Sequence, residues 1–62
     1  MSISTEVDPR RHVEVLEDGT LWPGMLRWWR RDGDRWLAFV DITNRPGITY
    51  VRWVPAERVR EA

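Results

Sequence analysis

From His12 onward, apolar and polar positions alternate with the period of two that places successive side chains on opposite faces of a strand. In His12-Val13-Glu14-Val15-Leu16-Glu17, the valines share one face. Asp18-Gly19 follows, a pair suited to the positive backbone torsions of a tight hairpin turn. Leu21 to Arg31 reads as a second, long strand, interrupted by Pro23-Gly24. Proline cannot donate to the ladder, so it marks an edge or a bulge there. Asp32-Gly33-Asp34 predicts the next turn, and Arg35 to Ile42 a third strand with Trp36, Ala38, Val40 and Ile42 on one face and Leu37 and Phe39 on the other. After the loop Thr43-Asn44-Arg45-Pro46-Gly47 come a fourth strand, Ile48 to Val54, a 3₁₀ turn at Pro55-Ala56-Glu57 and a short last strand, Arg58-Val59-Arg60. Met1 to Arg11 has no periodicity, and Asp8-Pro9 opposes regular backbone pairing. The expected organisation is a flexible arm over residues 1–11 and an all-β domain over residues 12–62. Short strands, hairpin turns, a bent second strand and a terminal 3₁₀ turn predict a small five-stranded barrel.

Composition sharpens this picture. A chain of 62 residues is one domain at most, and domains of this size usually need extra stabilisation. With no cysteine and one histidine, His12, neither a disulfide nor a thiolate metal site is available, and no cofactor is expected. Five tryptophans are the expected substitute, since each ring can bury about 150–250 Å². Most of them are therefore expected in the core. The adjacent pair Trp28-Trp29 should split between the two faces, and sharing parity with Gly24 and Leu26 puts Trp28 inside and Trp29 outside unless a bulge swaps them.

Ten arginines balance ten acids, giving zero formal charge. That argues against a strong nucleic-acid binder, which carries a basic excess. The polar N-terminal residues do not resemble a signal peptide, and the longest apolar run, Trp36 to Val40, is too short to span a membrane. A soluble, cytoplasmic protein, monomeric or weakly self-associating, is expected.

Glu17-Asp18-Gly19-Thr20-Leu21-Trp22-Pro23-Gly24 resembles the start of a Tudor domain: an acidic-glycine turn leading into a strand with an aromatic residue, a proline and a small residue. Trp36-Leu37-Ala38-Phe39-Val40-Asp41 fits the same pattern. Trp53-Val54-Pro55-Ala56-Glu57-Arg58-Val59-Arg60 is equally similar to the end of an SH3 domain. The likeness covers about residues 12–60 and implies an SH3-like (Tudor-like) barrel. Tudor domains hold methylated arginine or lysine in an aromatic cage by cation–π attraction. Trp22 would be one wall, but the remaining positions fall on Val15, Ile42 and Asn44-Arg45, none aromatic, with Arg45 repelling a cation. SH3 domains take PxxP ligands on an aromatic groove with acidic specificity residues. Here only Glu17 and Asp18 supply acids near such a loop.

For binding, Trp22, Trp29, Tyr50 and Trp53 are the candidate apolar anchors, with Arg27, Arg31 and Arg45 at the rim. Aromatics and arginine are the residue types that dominate interaction hot spots, so a protein or peptide partner is the expected one. Tyr50 and Trp53 have opposite parity, and the tyrosine, with its hydroxyl in water, is the one expected outside. Trp22 either stacks a ligand or packs over the open end of the barrel against Pro23 and Trp53. Arg27, Trp29 and Arg31 share one expected face, with Arg30 nearby, where rings could stack bases and guanidiniums meet phosphates. Single-stranded nucleic-acid binding is thus the alternative, set against arginine stems that merely cover an exposed ring. A role as a stabilising piece of a larger assembly also stays open. No nucleophile or orienting partner accompanies His12, and the acids sit in turns, so no enzymatic activity is expected.

Overall fold

The computed structural model describes residues 3–45 and 47–62, with the side chains of Asn44 and Arg45 left aside. The expected Pro46 position in the loop lies outside the described residues. Five antiparallel strands form one sheet: β1 (Ile3–Glu17), β2 (Thr20–Asp32), β3 (Arg35–Arg45), β4 (Ile48–Pro55) and β5 (Val59–Glu61), in the order β4-β3-β2-β1-β5. A 3₁₀ turn, Ala56–Arg58, precedes β5. The protein is all-β with no α-helix among the described residues, and none that could cross a membrane. The sheet is not closed, because its outermost strands, β4 and β5, do not pair with each other.

The turns follow from local chemistry. Asp18 and Gly19 both take positive φ, 51° and 73°, the double left-handed conformation that matches the twist of the flanking strands. Gly33, at φ 66°, opens the two-residue turn between Asp32 and Arg35. Pro23 pairs with Glu14 of β1, whereas pairing with β3 begins at Gly24↔Ile42, so at the proline β2 has a partner on one side only. Proline is thus confined to a locally edge-like position within a central strand.

Two irregularities set the shape. In the β2–β3 ladder, Leu26 faces Val40 and Trp28 faces Phe39, leaving Arg27 as one extra residue. In the β1–β2 ladder, Glu6 faces Trp28 and Arg11 faces Leu26, so Val7 to Arg10 stand against Arg27 alone. Bulges bend a strand and add twist. The first strand begins at Ile3 rather than His12: Ile3 to Glu6, in the expected arm, pair in register with Arg31 to Trp28. The pairing lapses around Asp8-Pro9, where the sequence opposes it, and Val7 packs against the core from this bend.

The core consists of Val13, Val15, Leu26, Ala38, Val40, Ile42 and Val54. No tryptophan is among these buried residues, which corrects the expectation that most of the indoles form the core. Trp22 and Trp29 pack against it half-buried, together with Tyr50 and Val59. An open sheet of 62 residues leaves no interior wide enough to enclose an indole on all sides, so small β-branched residues fill the centre and the rings lie over its margins.

At Gly24 the backbone of β3 leaves no room for a side chain: a Cβ there would overlap the Asp41 carbonyl oxygen, a backbone atom with little freedom to yield. Met25 N–H beside it donates to Asp41 Oδ1 at 3.0 Å. Gly24→Ala is expected to lower unfolding free energy by about 1–3 kcal/mol, the usual cost of forced overpacking, as read from urea denaturation; an unchanged midpoint would contradict the close approach.

Candidate functional site: two aromatic surfaces on opposite faces

Because β2 gains one residue at Arg27, its alternation reverses there. Residues directly opposite in a ladder share a face, and Trp29 pairs with Ala38, a core residue, while Trp28 pairs with Phe39. Trp29 therefore lies on the inner face and Trp28 on the outer one, the reverse of the sequence expectation. The bulge that could swap them exists, but at Arg27 rather than at Pro23-Gly24. The expected single face of Arg27, Trp29 and Arg31 is divided accordingly. Trp29 and Arg31 remain together on the inner side, and Arg27 places its guanidinium 5.8 Å from the Phe39 ring centroid on the outer side. Tyr50 and Trp53 also exchange expected places: Tyr50 packs against the core, and Trp53 lies outside against Phe39.

On the inner face, at the end of the sheet bearing the β2–β3 turn, Trp29 and Trp36 meet edge to face, with centroids 6.4 Å apart and an interplanar angle of 89°. Together with Thr5 and Ala56 they line a concavity of about 470 Å³, open to solvent on one side and almost wholly apolar. Trp36 is 47% exposed although it shares parity with the core residues Ala38, Val40 and Ile42. Its partners in register are Arg31 and, through Arg31, Ile3, which is itself exposed. Arg31 is held nearby by donation from Nε to Gly33 O at 3.1 Å. The sequence places Trp36 on this face but gives no sign that the strand outruns the core there.

At the other end of the inner face, Trp22 pairs with Val15 and packs over the core. The positions that a Tudor-like cage would use beside it, Val15 and Ile42, are fully buried and present no open wall. Arg45 ends β3 through its backbone, and its side chain lies outside the described ones. Tyr50 donates its hydroxyl proton to Glu17 Oε2 at 2.6 Å, and Arg52 Nη1 lies 2.7 Å from Glu17 Oε1. The Arg52 contact is close but not aligned as a hydrogen bond, so it acts through charge. Glu17 belongs to β1 and its partners to β4, three strands along, so the curled sheet brings nearly opposite margins into contact. In the sequence Glu17 ends the first strand beside the Asp18-Gly19 turn, with no sign of its partners on β4.

The outer face carries a second cluster. Glu6, Trp28, Phe39 and Trp53 fall in one row across four strands. Phe39 and Trp53 stack at 4.8 Å with a 45° tilt, and the Arg30 guanidinium sits 4.5 Å above the Trp53 ring. Ser4, Trp28, Phe39 and Trp53 line a smaller concavity of about 300 Å³. Of the expected binding residues, the structure thus brings Arg27 and Trp53 together here, Trp29 and Arg31 at the inner concavity, and Trp22 and Tyr50 onto the core. Phe39, Trp28, Arg30 and Trp36 were missed as site residues. No group of acids and histidine suited to a metal ion occurs among the described residues.

No family model, curated protein or solved structure matches the chain.

The Tyr50–Glu17 contact makes stability depend on alkaline pH. The hydrogen bond to the carboxylate, then burial, then the negative charge of Glu17 raise the tyrosine pKa above its ordinary 10.0, opposed by Arg52. The raised folded-state pKa means that the native chain holds this proton more tightly than the unfolded one. Its stabilising contribution is complete below pH 10.0 and is lost as pH rises through the higher folded-state value. Denaturation midpoints measured across this range should fall for the unaltered chain and fall less for Tyr50→Phe; parallel profiles would contradict the contact.

Proposed function

We propose that the chain is an SH3-like (Tudor-like) small barrel acting as a non-enzymatic interaction module that takes a protein or peptide segment in the Trp29–Trp36 concavity. The barrel reading is supported by a meander of four strands whose fifth returns, after a 3₁₀ turn, to pair with the first. Curling that carries Glu17 onto Tyr50 and Arg52 also supports it.

The observation that carries the binding reading is the inner concavity itself. A half-exposed tryptophan lining an almost wholly apolar hollow gives a ligand apolar surface whose removal from water is favourable. Trp29, braced on the core, forms the fixed wall, and Trp36 forms the outer one. Such rigid, pre-positioned rings bury large areas with little loss of side-chain freedom. Thr5 offers the hydroxyl on an otherwise apolar lining, and Arg31 stands at the rim. In this assignment Trp22 and Tyr50 maintain the fold at the other end of the inner face, while Arg27 and Trp53 belong to the outer face.

Peptides selected from a random displayed library against the folded chain should shift the indole N–H signals of Trp29 and Trp36. Trp36→Ala should weaken their binding by about thirtyfold, the mark of a hot-spot residue, with a stability loss of only about 1 kcal/mol from the lost ring contact. Selected peptides that leave both indoles unshifted, or that bind the variant equally well, would contradict the assignment.

A further inference from the structure

The outer face has features that a merely solvated sheet surface does not need. Antiparallel sheets with one face on the core normally turn polar residues outward, yet here Trp28, Phe39 and Trp53 lie side by side over three strands. Two cations lean onto them, Arg27 over Phe39 and Arg30 over Trp53. Neither has a carboxylate within ion-pair distance among the described residues, where the ion pairs belong to Arg11, Arg52 and Arg60. The Nε of each is enclosed without an acceptor. The two charges on this face are therefore held in place by rings and left unneutralised, although the chain as a whole is neutral.

We propose that this face binds single-stranded nucleic acid, with a base stacking on Trp28 in the concavity between it and Trp53 and the phosphates meeting Arg27 and Arg30, which cap the Phe39 and Trp53 rings. Every base has a π-face, so an open ring accepts unpaired bases with little sequence preference, while the guanidiniums fixed over the neighbouring rings meet the backbone. The 300 Å³ concavity between Trp28 and Trp53, with Ser4 at its margin, has room for a base and its sugar. Glu6 ends the row on β1 and repels phosphate, so the strand crosses toward β4, on the side of the two arginines. A duplex, whose bases are already stacked, gains nothing from the rings. Free phosphate or polyphosphate meets the charges but leaves the rings bare. This surface is separate from the peptide concavity on the inner face, and the two assignments stand or fall on different residues.

The test follows the indole N–H signals of the isotope-labelled full chain during addition of octathymidylate, a blunt duplex of equal length, and polyphosphate. The expected result is that octathymidylate shifts Trp28 and Trp53 and leaves Trp29 and Trp36 in place. Its affinity should decline with salt at a slope of about −1.4 in log K against log salt, as expected for two phosphate contacts on a single strand. Arg27→Gln combined with Arg30→Gln should lower that affinity at least tenfold and flatten the slope. Trp28 and Trp53 signals unmoved by octathymidylate would overturn the proposal, as would equal affinity for the duplex or for polyphosphate, or undiminished binding by the folded double variant. The shift pattern is read on the unaltered chain, so the outcome does not depend on whether that variant folds.

Discussion

One extra residue in a central strand governs how this chain distributes its aromatic rings. Arg27 stands unpaired in the ladders on both sides of β2, and the alternation of the strand reverses across it. Before the bulge, Leu26 faces the core opposite Val40; beyond it, Trp29 takes that direction opposite Ala38. Without the inserted residue, Trp28 would face inward and Trp29 would stand among the outer rings. The bulge thus creates two aromatic surfaces on opposite faces: Trp29 with Trp36 inside, and Trp28 with Phe39 and Trp53 outside. It also frees Arg27 from the ladder and lets its guanidinium lie over Phe39.

The rest of the structure accommodates this division. Seven small or branched apolar residues fill the centre, and the large rings lie around it. That arrangement suits a sheet too small to enclose indoles. Rings that are only half-buried exclude water from the core on one side while leaving their other side exposed. The contact of Glu17 with Tyr50 and Arg52 ties β1 to β4 at the end remote from the inner concavity. It links by side chains two strands that are not neighbours in the sheet, and a partly buried carboxylate requires such partners.

Much of the fold is legible in the residues. Asp18-Gly19 and Gly33 punctuate the hairpins where they were expected, and the parity of β3, with Trp36, Ala38, Val40 and Ile42 on one face, follows directly from its alternation. The 3₁₀ turn lies one residue beyond its expected start, at Ala56, within the ordinary uncertainty of such boundaries. The division of β2 was not legible, because a bulge at an arginine leaves no compositional mark, whereas Pro23-Gly24 announces irregularity and turned out to lie in regular register with β1. The pairing of Ile3 to Glu6 was equally hidden: a polar stretch can pair with a neighbouring strand without any apolar alternation of its own. For the site, residue types pointed to tryptophan and arginine, but their grouping depended on the bulge, so the expected Arg27–Trp29–Arg31 face dissolved into two surfaces. The pairing of Glu17 was hidden because its partners lie 33 and 35 positions away, at Tyr50 and Arg52.

The division of the rings depends on the reversal at Arg27, and a NOESY spectrum of the aromatic protons tests it most directly. Cross-peaks between the rings of Trp29 and Trp36, and between those of Phe39 and Trp53 with none from Trp29 to either, are predicted by the observed contacts. Cross-peaks linking Trp28 to Trp36, with Trp29 joined to Phe39 or Trp53, would mean uninterrupted alternation along β2 and would contradict the division of the two surfaces.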